Sequence, residues 1–231
     1  MPAAPEDRND SPLIAIIGGT GKLGAALARR WVKAGLPVMI GSRDAGRAQA
    51  TAAALSREFG QSVAAGSNRE AAAAGGLLVV TVPYAAHEST LAEIAAAAAG
   101  KILIDTTVPL VPPKVMRVQL PPEGAAAVRA QQLLGDQVTV VAAFHSVAAH
   151  KLATDAPIDC DVLVFGDQKE ARAHAVRLAQ AAGLRGLHGG ALANAAAAEA
   201  LTSVLIFINK TYQVDGAGLR ITGALIEPEG G

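Results

Sequence analysis

Ile14-Ala15-Ile16-Ile17-Gly18-Gly19-Thr20-Gly21-Lys22-Leu23-Gly24 decides the fold. A short apolar run over 13–18 ends in glycines. Residues 22–34 follow with helical spacing, and Gly35 stands where a C-cap glycine belongs. Gly19, Gly21 and Gly24 spell G-x-G-x-x-G. In such a turn Gly19 permits the tight exit from the strand. Gly21 lets the backbone approach a pyrophosphate, and Gly24 lets the helix pack closely on the strand. The helix N-terminus then offers free N–H groups and a partial positive charge to phosphates. A strand, a glycine turn and a helix in this order open a Rossmann-type dinucleotide-binding unit. Gly19, Thr20, Gly21, Lys22, Leu23 and Gly24 are its expected cofactor-binding residues.

Outward from this turn, strand and helix patterns alternate. Residues 37–40, 77–82, 101–105, 138–142 and 161–165 are short apolar runs, and those at 44–59, 85–99, 124–134 and 169–182 have helical spacing. Strands apolar on both sides predict a fold of the α/β class, a doubly wound parallel sheet with helices on both faces. The long apolar segment 191–209 predicts a small, mainly helical C-terminal domain. The expected division is a disordered tail over 1–11, a Rossmann domain over 12–188, a C-terminal helical and dimerisation domain over 189–224, and a tail over 225–231. Prolines 109, 112, 113, 121 and 122 exclude a long helix from 106–123. That segment should be an extended loop beyond the carboxyl end of a strand, where open α/β sheets bind ligands.

The end of the second strand selects the nucleotide. NAD-binding folds usually place Asp or Glu there, to accept hydrogen bonds from the ribose hydroxyls. Here the strand ends Ile40-Gly41-Ser42-Arg43, and Arg47 follows Arg43 by one helical turn. A hydroxyl and two guanidinium groups suit a 2′-phosphate, so Ser42, Arg43 and Arg47 indicate NADP(H). Ser42 equally suits a helix N-cap, and the arginines a solvated face. Asp44 dissents, although a carboxylate also suits the first turn of a helix.

Charge and composition narrow the partners. Twenty basic residues balance twenty acidic ones, which argues against nucleic acid or an anionic membrane as the main partner. Cys160 is the single cysteine, so nothing points to an oxidising compartment. The polar first eleven residues lack the apolar stretch of a signal peptide, and no run of the length of a membrane span is expected. The location to expect is the cytoplasm. The five histidines have no metal-ligand spacing, so no metal is expected.

Other chemistries lack their residues. Gly18, Gly21 and Gly24 also fit the short-chain dehydrogenase glycine pattern, but neither Tyr84 nor Tyr212 has Lys four residues on. Gly21-Lys22 is followed by Leu23, so the hydroxyl that a P-loop gives to magnesium is missing. His145 follows an apolar strand, where an active site would lie. A structural hydrogen bond and a substrate contact both suit it.

The ordered set of motifs resembles the NADPH-dependent coenzyme F420 reductases, or F420H2:NADP oxidoreductases. The matching stretches are Gly18 through Gly24, Ile40-Gly41-Ser42-Arg43, Val80-Thr81-Val82-Pro83-Tyr84 and Val141-Ala142-Ala143-Phe144-His145-Ser146-Val147. Val164-Phe165-Gly166-Asp167, Gly190-Ala191-Leu192-Ala193-Asn194 leading to Glu199, and Gly216-Ala217-Gly218-Leu219-Arg220 complete them. The resemblance implies a homodimer that transfers hydride between nicotinamide C4 and deazaflavin C5. It implies Thr81, Val82 and Pro83 near the nicotinamide, and Tyr84, His145, Ser146 and Val147 bordering coenzyme F420 as substrate. Tyr84 stands where the family usually has another aromatic residue, often Trp, and the 107–124 loop is richer in proline.

Such a transfer needs no side-chain nucleophile, because the cofactors carry the chemistry and the protein aligns them. Two alternatives remain at this level. One is an NADPH-dependent reductase of another small imine or carbonyl substrate, in which His145 would donate a proton. The other is a non-catalytic NADP-binding sensor. A ferric reductase domain with the same core also leaves the electron acceptor open.

Overall fold

The computed structural model describes residues 11–226. The expected tail over 1–11 and the last five residues therefore lie almost wholly outside the described residues. The elements are, in order, β1 (Ile14–Ile17), α1 (Lys22–Lys33), β2 (Val38–Ser42), α2 (Ala45–Phe59), β3 (Ala64–Ser67), α3 (Asn68–Ala74), β4 (Leu77–Val80) and α4 (Tyr84–Ala98). Next come β5 (Ile102–Asp105), α5 (Ala126–Leu134), β6 (Thr139–Ala142), α6 (Ala149–Leu152), β7 (Asp161–Phe165), α7 (Lys169–Ala181) and β8 (Arg185–Gly190). A 3-10 turn (Leu192–Asn194) leads into α8 (Ala195–Tyr212).

The strands form one sheet in the order β3-β2-β1-β4-β5-β6-β7-β8. The side-chain period of two divides each central strand between two cores. Ile14 and Ile16 of β1, with Leu77 and Val79 of β4, join Leu27 and Trp31 on one face. Ala15 and Ile17, with Leu78 and Val80, join Leu91, Ile94 and Ala198 on the other. Both faces are thus covered by helices, which is why these strands carry no polar alternation. Trp31 sits fully buried, gives its indole N–H to the Leu178 carbonyl at 2.9 Å, and meets Phe144 edge-on at 6.0 Å.

The sheet differs from expectation at its far end. β6 and β7 pair antiparallel, while β7 and β8 pair parallel. The sheet is therefore mostly parallel, with a two-stranded reversed edge. Four elements also escaped the periodicity: β3, α3, the short α6 and β8. β3 and α3 come from an Ala-rich stretch with a clear start signal: Ser67 accepts the Glu70 N–H, and the Glu70 carboxylate accepts the Ser67 N–H in return. β8 is rich in glycine and carries no alternation.

The stretch Leu192–Tyr212 reaches a mean hydropathy of 1.5 and is long enough to cross a membrane by length and composition, contrary to the sequence expectation. In the fold α8 is docked by one face. Ala195, Ala198, Glu199, Ser203 and Leu205 are buried, while Phe207 and Tyr212 are exposed.

Candidate functional site

The phosphate cradle is built by a turn that only glycine can complete. Gly18 has φ of +77°, in the left-handed region that disfavours a Cβ. The Gly19 N–H reaches the Gly41 carbonyl at 2.9 Å, and the Gly21 N–H reaches the Gly18 carbonyl at 2.9 Å. Asn68, buried at the start of α3, accepts the Gly18 N–H at 3.1 Å. The overlooked β3–α3 unit thus supports the turn from behind.

Gly24 and Gly21 do different work. A Cβ on Gly24 would lie 2.5 Å from Thr81 Oγ1 and 2.9 Å from Gly19 Cα, so the helix start is pressed against the loop and the β4 end. A Cβ on Gly21 would meet only the Gly18 carbonyl at 3.3 Å and the Thr81 carbonyl at 3.8 Å. The open space before Gly21 is the ligand side. α1 has no side-chain N-cap and no acidic residue in its first turn, so its N-terminal donors keep their capacity for an anion. The residues present fit a dinucleotide pyrophosphate.

The second strand presents the expected groups. Ser42 is buried at the end of β2, with its hydroxyl 3.3 Å from the Thr20 hydroxyl and accepting the Asp44 N–H at 3.1 Å. The N-cap of α2 is Asp44, whose carboxylate accepts the Arg47 N–H at 3.0 Å. Ser42 therefore shapes the turn without capping the helix. Arg43 and Arg47 are exposed, and neither guanidinium has an ion-pair or hydrogen-bond partner among the described residues.

The carboxyl edge of β4, β5 and β6 gathers the second half of the site. Thr81 is buried and gives its hydroxyl to the Ile17 carbonyl at 3.0 Å, which joins the β4 end to β1. Val82 is half-buried, Pro83 exposed and Tyr84 half-buried at the start of α4. Across the edge Phe144 has φ of +66°, a conformation rare for an aromatic residue. It turns the chain so that His145 is buried, with Ser146 and Val147 half-buried behind it. The Thr202 hydroxyl of α8 holds the His145 carbonyl at 2.9 Å. Both His145 ring nitrogens are buried without a hydrogen-bond partner among the described residues, and burial pulls the ring's pKa down to about 4, against a small opposing pull from Asp105. His145 is thus a neutral imidazole at neutral pH. The structural hydrogen bond considered from the sequence is not made by its side chain.

Three charged groups at this edge had no role assigned from the sequence, although Glu199 ends one of the matched stretches. Asp105 ends β5, in register with Val80 of β4 and Ala142 of β6. His87, on the first turns of α4, meets it at 2.7 Å with both side chains buried. Burial opposes the imidazolium, but the Asp105 carboxylate outweighs it and raises the His87 pKa. Burial likewise opposes the Asp105 charge, and His87 outweighs it, holding Asp105 below its usual range. Glu199 reaches from α8 to accept the Ala126 and Ala127 N–H groups of α5 at 2.7 and 3.1 Å. It replaces the side-chain cap that α5 lacks. Burial, with Asp105 nearby, pushes its carboxyl up to about 7 in spite of these bonds and of His87. The available signals were an acid ending an apolar strand and a single acid within an apolar helix.

The proline-rich loop holds no helix or strand between β5 and α5. Thr107 N–H bonds Asp105 at 3.0 Å, and Ser203 of α8 bonds the Arg117 carbonyl at 3.2 Å. The loop is thereby tied over the same edge. No cluster of metal-ligating residues is present among the described residues.

Comparison with known proteins agrees with this geometry. Residues 13–109 match the family described as NADP oxidoreductase, coenzyme F420-dependent. The chain is 41% identical over 218 residues to the F420-dependent NADP reductase of Methanothermobacter thermautotrophicus, covering 90% of this chain and 94% of that one. It is 35% identical over 219 residues to the protein of the same name from Methanocaldococcus jannaschii, covering 90% and 97%. A crystal structure of a candidate F420-dependent NADP reductase from Arthrobacter sp. FB24 superposes with a TM-score of 0.77 at 25% identity, covering 92% of this chain and all of that one.

Proposed function

This chain belongs to the family of F420-dependent NADP reductases, and we propose that it transfers hydride between NADP(H) and coenzyme F420 as a cytoplasmic homodimer. The observation that carries the proposal is the cradle itself: an open Gly21 before an uncapped helix, with Arg43 in the turn after β2 and Arg47 in the first turn of α2, both unpaired among the described residues. In this reading Gly19, Thr20, Gly21, Lys22, Leu23 and Gly24 hold the pyrophosphate. Ser42, Arg43 and Arg47 hold the 2′-phosphate. Thr81, Val82 and Pro83 border the nicotinamide.

Tyr84, His145, Ser146 and Val147 are proposed to border the deazaflavin. A flat ring with apolar faces and a polar rim suits an edge that offers apolar Val82 and Pro83 at the end of β4 and polar His145 and Ser146 after β6. The chemistry supplied by the two ligands is direct hydride transfer, and the chain's part is to align them and exclude water. Held neutral by burial, His145 keeps one ring N–H but lacks the more acidic imidazolium proton that a general acid would give to an imine or carbonyl substrate. The segment 189–224 is proposed as the dimerisation part, since the outer side of α8 exposes Val204, Phe207 and Tyr212.

The test is a spectrophotometric assay of NADPH oxidation with and without coenzyme F420. Bleaching of the deazaflavin that requires the protein supports the proposal. NADPH binding without any bleaching rejects it in favour of a sensor or another substrate.

A further inference from the structure

Glu199 is a buried carboxylate that the hydride transfer does not use. Its neighbours lie on every element packed against it. α4 supplies Tyr84, His87 and Glu88, and β5 supplies Asp105. The loop and α5 supply Glu123 and Arg129, and Arg129 pairs with both Glu123 and Glu88. Within the buried part, His87 and Asp105 form a closed ion pair at 2.7 Å and cancel. Burial keeps Tyr84 neutral by raising its pKa, and His145 neutral by lowering it. Glu199 is therefore the charge that decides whether this edge of the sheet is neutral or negative.

That edge is also where a nicotinamide must emerge when the pyrophosphate rests on Gly21. Asp105 stands in register beside Val80, the residue before the Thr81-Val82-Pro83 turn. The two forms of the nucleotide differ there by one charge: the oxidised ring is a cation and the reduced ring is neutral. We propose that Glu199 determines the preference of the site between NADP+ and NADPH, its carboxylate favouring the oxidised form. This rests on NADP(H) being bound as described above.

The α5 N-terminus makes the arrangement workable. Two backbone N–H groups hold the carboxylate in place whether or not the rest of the cluster changes. A group titrating near 7 would make the preference respond to pH in the neutral range. Protonated Glu199 leaves the ring without a counter-charge, and NADP+ is released more readily. Ionised Glu199 retains it.

Calorimetric titration of the wild-type chain with NADP+ and with NADPH, from pH 5.5 to 8.5, tests this. The ratio of the two Kd values removes the 2′-phosphate titration, which both nucleotides share. NADP+ should gain on NADPH by about tenfold as pH rises through 7, the size of one charge acting across a partly screened interior. In Glu199→Gln, which keeps a carbonyl acceptor for α5, the ratio should be flat. A flat ratio in the wild type overturns the proposal, and this series needs no variant to fold. An unchanged pH response in Glu199→Gln overturns it too. If the wild type binds neither nucleotide, the reading of the glycine loop fails first and the proposal falls with it.

Discussion

Asp44 caps helix α2 by accepting the Arg47 N–H at 3.0 Å, and the capping carboxylate is thereby held by the helix it starts. From the sequence Asp44 was the residue that argued for NAD, because an acid near the end of β2 can bind ribose hydroxyls. Its role as a cap removes that conflict. The Arg43 and Arg47 guanidinium groups beside it remain exposed and unpaired among the described residues.

Selectivity for NADPH should therefore depend on the arginines. Arg43→Ala should weaken NADPH binding by about 1.5 to 3 kcal/mol, the range for one lost bond to a charged group. NADH binding should barely change. Titration of both nucleotides decides it, and equal losses would mean that Arg43 does not meet the 2′-phosphate.

Gly21 and Gly24 should separate binding from folding. Gly24→Ala forces a Cβ against Thr81 and the loop backbone and should cost about 1 to 3 kcal/mol of stability. Gly21→Ala meets only the Gly18 carbonyl at 3.3 Å and the Thr81 carbonyl at 3.8 Å, so its melting temperature should stay near wild type while affinity for both nucleotides drops. A Gly21→Ala protein that binds NADPH normally would reduce the motif to a structural turn.

His145 should make the protein sensitive to acid. The unfolded chain takes a proton on this ring near pH 6.5, whereas the folded chain resists until about pH 4. The unfolded state thus binds more protons in this window, and stability is lost as pH falls through it. A shift of this size corresponds to about 3 kcal/mol. Glu199 works in the opposite sense: its contribution is full below pH 4.5 and is lost as pH rises through about 7. Urea midpoints of wild type and His145→Asn, compared at pH 7 and pH 4.5, isolate the histidine. The gap between them should shift in favour of the variant at low pH; a constant gap would contradict the burial argument.

The outer side of α8 should be a dimer contact. Phe207 is 52% and Tyr212 is 73% exposed, and a helix this apolar is expected to be covered. Light scattering should give twice the chain mass for the wild type and a single mass for Phe207→Glu. A monomeric wild type at micromolar concentration would reject the contact.

Much of the fold was legible because its signals are local. The β1–α1 turn announces itself in eleven consecutive residues. The strands β4, β5 and β7 are apolar runs with clear ends, and α1, α4 and α7 match their expected bounds to within a residue or so. β3 and β8 were not legible, since Ala64–Ser67 and Arg185–Gly190 have too few large apolar side chains to show a period. They become strands because a neighbouring edge offers them hydrogen bonds. The capping box Ser67 to Glu70 was a readable signal for α3.

The sequence by itself determined the phosphate cradle, the candidate 2′-phosphate arginines and the two-faced sheet. Each of these follows from spacing within a few turns of chain, where backbone geometry dictates which residues meet. Only the tertiary structure decided that the His145 ring is buried with no hydrogen-bond partner among the described residues, and that His87, Asp105 and Glu199 form one cluster. These depend on residues from four separate elements brought to a single sheet edge. Their ionisation is set by burial and by one another's charge, and neither quantity exists until the chain has folded.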